Sequence, residues 1–378
     1  MSEFRFLHTA DLHLGKRFGA LPEEVRARTA EARHGILAHL AQVARQHGTQ
    51  HILIAGDTFD TETPTDRVWR QAVAAMGAAG DLHWWLLPGN HDSLGAEALW
   101  DRLRAAAPAN LHVLTDIEPI EMAPGVMLLP APLPRRYPGR DLTEWMNACE
   151  TDPRALRIGL AHGAVRDFSE DGGGNDALLA IDRAEAARLD YLALGDWHGQ
   201  MRLGPRTAYA GTPEQDSFRH EGPGACLLIT LTAPGDAPQI ERLETGQLEW
   251  HDLAPDLVPG QDPAALVLAA LPADPAARRN HLVRLRPQGR ARLAEHAALE
   301  ALAAEVGPQF CHFVLDCGAL AIEPDAADLD RIDRSGALRV AADRLAEAAA
   351  DPARAAPDRA VAAGALNRLY GYLQEGAQ

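Results

Sequence analysis

Five short segments of this 378-residue chain carry side chains that could hold a metal: Asp11-Leu12-His13, Gly56-Asp57-Thr58-Phe59-Asp60, Gly89-Asn90-His91-Asp92, His162-Gly163 and Gly195-Asp196-Trp197-His198. Carboxylate, imidazole and amide donors together suit borderline-to-hard divalent ions such as Mn2+, Fe2+ or Zn2+. Two such ions about 3.5–4 Å apart can activate a water and stabilise both oxygens of an in-line phosphoryl displacement. Holding two cations that close needs a bridging carboxylate, and Asp57, after an apolar run and a glycine, is well placed for it. Taken singly, each segment has a plainer reading. Asp-x-His caps a strand end, Gly-Asp makes a turn, and a lone histidine is ordinary. Five of them in this order, all at predicted strand ends, point jointly to a metal site.

The elements that must position these residues follow from periodicity. Strands are expected at Phe4 to Ala10, His51 to Ala55, Leu82 to Leu87, Val126 to Leu129, Arg157 to Ala161, Tyr191 to Leu194 and Ala225 to Leu231, with helices at Pro22 to His47 and Pro64 to Ala79. Strands alternating with helices predict an α/β layered domain, and open α/β sheets bind ligands beyond the C-terminal ends of their strands. A smaller α+β unit is expected next, with helices at Ala264 to Leu271 and Ala291 to Val306 and strands at His281 to Leu285 and Phe310 to Leu315. The alanine-rich stretch Pro324 to Gln378 reads as helical, interrupted by Pro352 and Pro357. The boundaries so read are 1–245, 246–323 and 324–378.

Composition narrows the class without naming a function. Hydrophobic residues make up 47% and charged residues 24%, which excludes a disordered, collagen-like or disulfide-scaffold chain. No apolar run reaches the roughly 18–20 residues a membrane span needs, and no membrane association is expected. The N-terminus lacks a signal-peptide pattern, and Cys149, Cys226, Cys311 and Cys317 form no CxxC pair. Both features fit a reducing cytoplasm. The balance of 36 basic against 53 acidic residues, −17 overall, argues against a chain coated in positive charge but allows a local basic groove.

The five segments together resemble the calcineurin-like metallophosphoesterase superfamily. The string Leu7-His8-Thr9-Ala10-Asp11-Leu12-His13-Leu14-Gly15, with Gly56-Asp57-Thr58-Phe59-Asp60, further resembles the SbcD-type DNA repair exonucleases, as does Tyr209-Ala210-Gly211-Thr212-Pro213-Glu214. The resemblance spans roughly residues 4 to 232 and implies a four-layered α/β sandwich, two mixed β-sheets flanked by helices, with a small α+β cap and a helical C-terminal tail. It implies one metal on Asp11, His13, Asp57 and His198, and a second on Asp57, Asn90, His162 and, by position, Asp196. It assigns His91 to the leaving oxygen, with Asp92 orienting its ring. The expected cofactors are two divalent ions, Mn2+ first, with Fe2+, Mg2+ or Zn2+ as options. The family usually has Gly-His-x-His where this chain has Gly195-Asp196-Trp197-His198. Asp60 is read as shaping its loop and His8 as packing near the site.

Candidate substrate contacts are Lys16 and Arg17, after the first motif, and Arg135, Arg136, Tyr137 and Arg140, a basic loop that could grip phosphates and stack on a base. The acidic segment Asp171-Gly172-Gly173-Gly174-Asn175 does not suit a phosphate cradle. Leu366, Leu369, Tyr370 and Leu373 form a helical stripe, which either docks on the chain's own cap or, as the resemblance implies, on an SMC-like ATPase partner; a homodimer is a further arrangement. The expected activity is a two-metal DNA exonuclease acting in repair. The rival readings are a phosphatase or nucleotide phosphodiesterase on small substrates, and a weakly active subunit whose main role is assembly.

Overall fold

The apolar run at the N-terminus becomes β1 (Phe4–Thr9), and the alternation that follows builds a parallel sheet around it: α1 (Glu23–Gln46), β2 (His51–Ile54), α2 (Asp66–Ala78), β3 (His83–Leu86), α3 (Leu99–Ala106) and β4 (Leu111–Val113). The computed structural model describes residues 3–95, 98–165, 179–220, 222–322 and 336–375. Two compact units, Met1–Glu249 and Trp250–Gln378, make up the chain. In the first, a second sheet follows from β5 (Ile120–Ala123), β6 (Val126–Ala131), β7 (Leu156–His162), the short α4 (Arg183–Ala186), β8 (Tyr191–Gly195), β9 (Met201–Arg202) and β10 (Thr207–Tyr209). The chain then returns to the first sheet through β11 (Ala225–Leu231) and β12 (Gln239–Glu244).

The resulting orders are β12-β11-β1-β2-β3-β4 and β5-β6-β7-β8-β10-β9, both mixed. β11 runs antiparallel to β1, while β1, β2, β3 and β4 pair in parallel. Between the sheets lies one apolar layer, with Phe6, Leu53 and Trp85 from one side meeting Leu128, Ile158 and Leu160 from the other. Each such side chain contributes roughly 1.5–3 kcal/mol by leaving water. On the outer face of the first sheet Ile36, Leu40, Trp69 and Leu103 of the helices cover Ile52 and Ile54. Met146, Ala184 and Leu189 cover the outer face of the second. That is the four-layered sandwich.

The structure has strands that periodicity does not announce, among them β4, β5, β10 and β12. β12 is an edge strand with a largely exposed, polar face, so it carries no apolar run to read. β6 continues past the expected Leu129 through Pro130 to Ala131. Proline is tolerated there because β5 pairs only as far as Leu128, so the missing N–H faces no strand on that side.

The second unit contains β13 (Glu249–Leu253), β14 (Asp256–Leu257), α5 (Pro263–Ala270), β15 (His281–Leu285), β16 (Gln288–Ala291), α6 (Leu293–Val306), β17 (His312–Leu315), β18 (Leu320–Ile322), α7 (Ala337–Ala350) and α8 (Ala356–Glu375). Its strands form two three-stranded sheets, β13-β15-β17 and β14-β16-β18, over a core that includes Val267, Val283, Leu299 and Phe310. Leu366 and Tyr370 of α8 are buried with Leu293 of α6 and Ala342 of α7, and Leu369 packs beside them. Those three stripe residues therefore cover this unit's own apolar surface. The segment Asp171–Asn175 lies outside the described residues, and no helix among the described ones is long and apolar enough to cross a membrane.

Candidate metal centre

The expected donors follow the C-terminal ends of parallel strands, where the chain is bent hard. Asp11, His13, Asp57 and Asp196 have φ of 55°, 43°, 52° and 103°. For residues other than glycine this left-handed backbone costs of order 1–3 kcal/mol each and persists only where the surroundings over-determine it. The glycines beside them answer to close approach. A Cβ on Gly56, itself at φ 91°, would lie 2.1 Å from His162 Nδ1, and one on Gly89 would lie 2.1 Å from Asp57 Oδ1.

The seven expected ligands converge on Asp57. Its Oδ2 lies 3.7 Å from His13 Nε2 and 3.6 Å from His162 Nε2, while its Oδ1 accepts the His91 backbone N–H at 2.8 Å. On one side Asp11, His13 and His198 form a cluster, with the two imidazole Nε2 atoms 3.1 Å apart. On the other, Asp196 Oδ1 stands 3.6 Å from His162 Nε2 and accepts the Asn90 amide at 3.3 Å. Asp196 thus stands beside His162 and Asn90.

Two of the imidazoles, His162 and His91, are hydrogen-bonded from behind, and the other two have a carboxylate behind the ring. His162 Nδ1–H donates to the Ala55 carbonyl at 2.8 Å, which turns Nε2 toward Asp57. His13 Nδ1 lies 3.4 Å from Asp60 Oδ1, and His198 Nδ1 lies 3.6 Å from Asp216 Oδ1. His91 Nδ1 meets the Asp60 carbonyl at 3.0 Å, so its Nε2 is the atom left for substrate.

The centre calls for cations. Burial pushes Asp57 well above the ordinary carboxylate range and also raises Asp11, with His162 opposing the shift in both. Burial alone would lower His162, yet the charges of Asp57, Asp196 and Asp11 push it up to about 9. His162 Nε2 and Asn90 Oδ1 are buried without a hydrogen-bond partner, and a buried polar atom left so costs about 1–3 kcal/mol. Orphaned donors of the right chemistry beside crowded carboxylates fit divalent ions, which Asp11, His13, Asp57 and His198 could hold on one side and Asp57, Asn90, His162 and Asp196 on the other.

One expectation needs correction. Asp92 does not orient His91: its carboxylate accepts the backbone N–H groups of Gly89 at 2.7 Å and Phe59 at 3.0 Å, and so pins the two ligand loops together. Lys16 lines a cleft with Asp196 and His198, its ammonium bonded to Asp216 Oδ2 at 2.6 Å. Arg17 is exposed, in a separate groove with Glu23 and Arg26. The basic loop behaves differently. Arg136, Tyr137 and Arg140 line the same cleft as Asn90, His162 and Asp196, with the Arg136 guanidinium 5.6 Å from the centre of the Tyr137 ring. Arg135 is turned onto its own loop at the Pro138 carbonyl, 3.2 Å away.

Sequence reasoning missed the group behind His198. Asp216, almost wholly buried, also takes His220 Nε2 at 2.6 Å and lies 3.8 Å from Arg33. Buried Arg33 of α1 donates to the carbonyls of Leu12 and Glu214, tying the first ligand loop to the one after β10. The spacing Asp216-x-x-x-His220 is the sole trace of this in sequence, and it lies at no strand end.

Residues 4–200 match the model of the calcineurin-like phosphoesterase family. An uncharacterized metallophosphoesterase, YhaO of Bacillus subtilis, is 24% identical over 281 residues, covering 70% of this chain and 66% of its own length. One subunit of the nuclease SbcCD, from Escherichia coli K12, is 25% identical over 278 residues, 63% of this chain and 68% of that one. The chain thus spans about two thirds of each relative. The solved TT1561 structure of Thermus thermophilus aligns with a TM-score of 0.43 at 11% identity, over 65% of this chain and all of the other.

Proposed function

The chain belongs to the calcineurin-like phosphoesterase family and is a metal-dependent phosphoesterase; on that premise we propose that it is a DNA exonuclease acting in repair with two Mn2+ ions. The observation that carries the two-metal reading is Asp57 Oδ2 lying between the ligand nitrogens of His13 and His162. Two divalent ions so held supply an activated water and neutralise the phosphate oxygens. The chain's own residues do the rest. His91, its Nδ1 side fixed by the Asp60 carbonyl, delivers a proton from Nε2 to the leaving oxygen. Asp92 keeps that loop in place through Gly89 and Phe59. Arg136 and Arg140 grip backbone phosphates while Tyr137 offers a stacking face, a combination suited to a single strand. The Asp196 carboxylate, as a hard oxygen donor, favours Mn2+ or Mg2+ over Zn2+.

The Escherichia coli relative is named as one subunit of a nuclease, which supports a reading in which this chain works with a second subunit; the resemblance to SbcD-type nucleases makes that partner an SMC-like ATPase. Docking of that partner on α8 uses the exposed Val361 and Tyr372, since Leu366 and Tyr370 are already covered. A second reading, a phosphodiesterase for small substrates, is favoured by the net charge of −17.

One assay set separates the two. Single- and double-stranded DNA are offered beside bis-p-nitrophenyl phosphate, with Mn2+, Mg2+ and Zn2+ compared. The nuclease reading expects nucleotides released from DNA ends, and a raised KM for DNA alone in an Arg136→Ala/Arg140→Ala variant. Turnover of the small diester with DNA left intact would select the second reading.

A further inference from the structure

Three histidines on neighbouring strands of the first sheet lie outside everything described above. His51 opens β2 and His83 opens β3, paired in register; Trp85 of β3 is paired with His112 of β4. Side chains two apart on a strand share a face, so the three imidazoles and the indole form one row. His83 stacks on His51 at 5.2 Å and on His112 at 5.3 Å, and Trp85 lies flat on His112 at 3.9 Å. Within the row His83 Nδ1 and His112 Nε2 are 3.1 Å apart. β2 and β3 begin at these histidines and end in the loops that carry Asp57 and Asn90, so a strand of four residues, about 13 Å, separates the row from the metal centre.

We propose that His83 and His112 form an accessory metal site, a two-imidazole chelate for a late divalent transition ion, Cu2+ in the first place. Two nitrogens 3.1 Å apart, each about 2.0–2.1 Å from one ion, subtend roughly 95–100°, a cis angle that a tetragonal ion accepts. Cu2+ leads the affinity order for nitrogen donors. In the ion-free pair one ring donates N–H to the other; a tautomer change on the donor ring frees both nitrogens without losing a proton. Two of the three rings, His51 and His112, resist protonation. Burial first, then the neighbouring imidazoles, push His51 down to about 4 and lower His112. The site is pre-arranged as well, because Trp85 holds the His112 plane and donates its indole N–H to His51 Nδ1 at 3.3 Å. Half-exposed His112 and exposed His83 leave the remaining coordination positions to water.

The test uses the full-length, Mn2+-loaded enzyme and its His83→Ala and His112→Ala variants, each dialysed against Cu2+ and counted for copper. Copper that exchanges into the reaction centre is common to all three proteins and cancels. Each variant should bind one Cu2+ fewer per chain than the parent. Each should also lose the quenching of tryptophan fluorescence expected from an ion seated beside Trp85. Mn2+-dependent hydrolysis of bis-p-nitrophenyl phosphate should be unchanged. Equal copper counts and equal quenching in all three would overturn the site, and dependence on only one of the two histidines would overturn the chelate. His83 is exposed, so its variant tests the proposal even if the His112 variant folds poorly.

Discussion

At the scale of residues, the division of labour around Asp57 is what needs testing first. His91 faces the substrate side and none of its ring atoms is assigned to an ion. His91→Ala should therefore cut turnover by roughly 10²–10⁴-fold while metal content per chain stays the same. Loss of an ion in that variant would make His91 a ligand. Asp216 supports His198 from behind, and removing such an outer partner typically weakens metal affinity about 10–100-fold. Asp216→Asn should do so at one site only, measured by Mn2+ titration; two unaltered affinities would leave Asp216 a purely structural residue. The candidate ligands were legible in sequence because each lies at or just past the end of an apolar run. Asp216, His220 and Arg33 were not, since a loop after β10 and a face of α1 bring them in from places with no such signature. Asp92 was misread because it adjoins His91, whereas the backbone N–H groups of Gly89 and Phe59 claim its carboxylate.

At the scale of elements, the reaction centre is assembled from two sheets, and polar bridges cross the apolar layer between them. His8 on β1 donates from Nε2 to the Leu194 carbonyl at 3.1 Å and accepts the Tyr191 hydroxyl at Nδ1 at 2.9 Å. Burial keeps its pKa down at about 3, so it stays neutral. His162 reaches the other way, to Ala55. Tyr191→Phe leaves the His8 nitrogen buried and unpaired, a loss of about 1–3 kcal/mol that chemical denaturation should register; an unmoved midpoint would show that the bridge carries no stability. The long helices and buried strands of this sandwich could be read from period alone. The bridges could not, because a histidine and a tyrosine far apart in sequence each look like ordinary strand residues.

At the scale of the whole molecule, the first unit's stability carries a pH signature of its own. Burial pushes the Glu214 carboxyl up to about 7, despite the N–H groups of Gln247 at 2.7 Å and Leu248 at 3.0 Å that it accepts. The folded chain then holds a proton that the unfolded chain releases near its ordinary value of about 4.3. The contribution is complete below that value and is lost as pH rises through 7. Relative to the parent, Glu214→Gln should gain about 1–3 kcal/mol between pH 5 and pH 8, measured by urea unfolding in EDTA; a pH-independent difference would mean that the carboxyl titrates normally. The account as a whole rests on one carboxylate serving two ions. Its most direct test is metal counting on purified parent and Asp57→Ala protein after equilibration with Mn2+. The parent should hold two ions per chain and the variant should lose occupancy at both sites, whereas two ions retained by Asp57→Ala would contradict a centre built around Asp57.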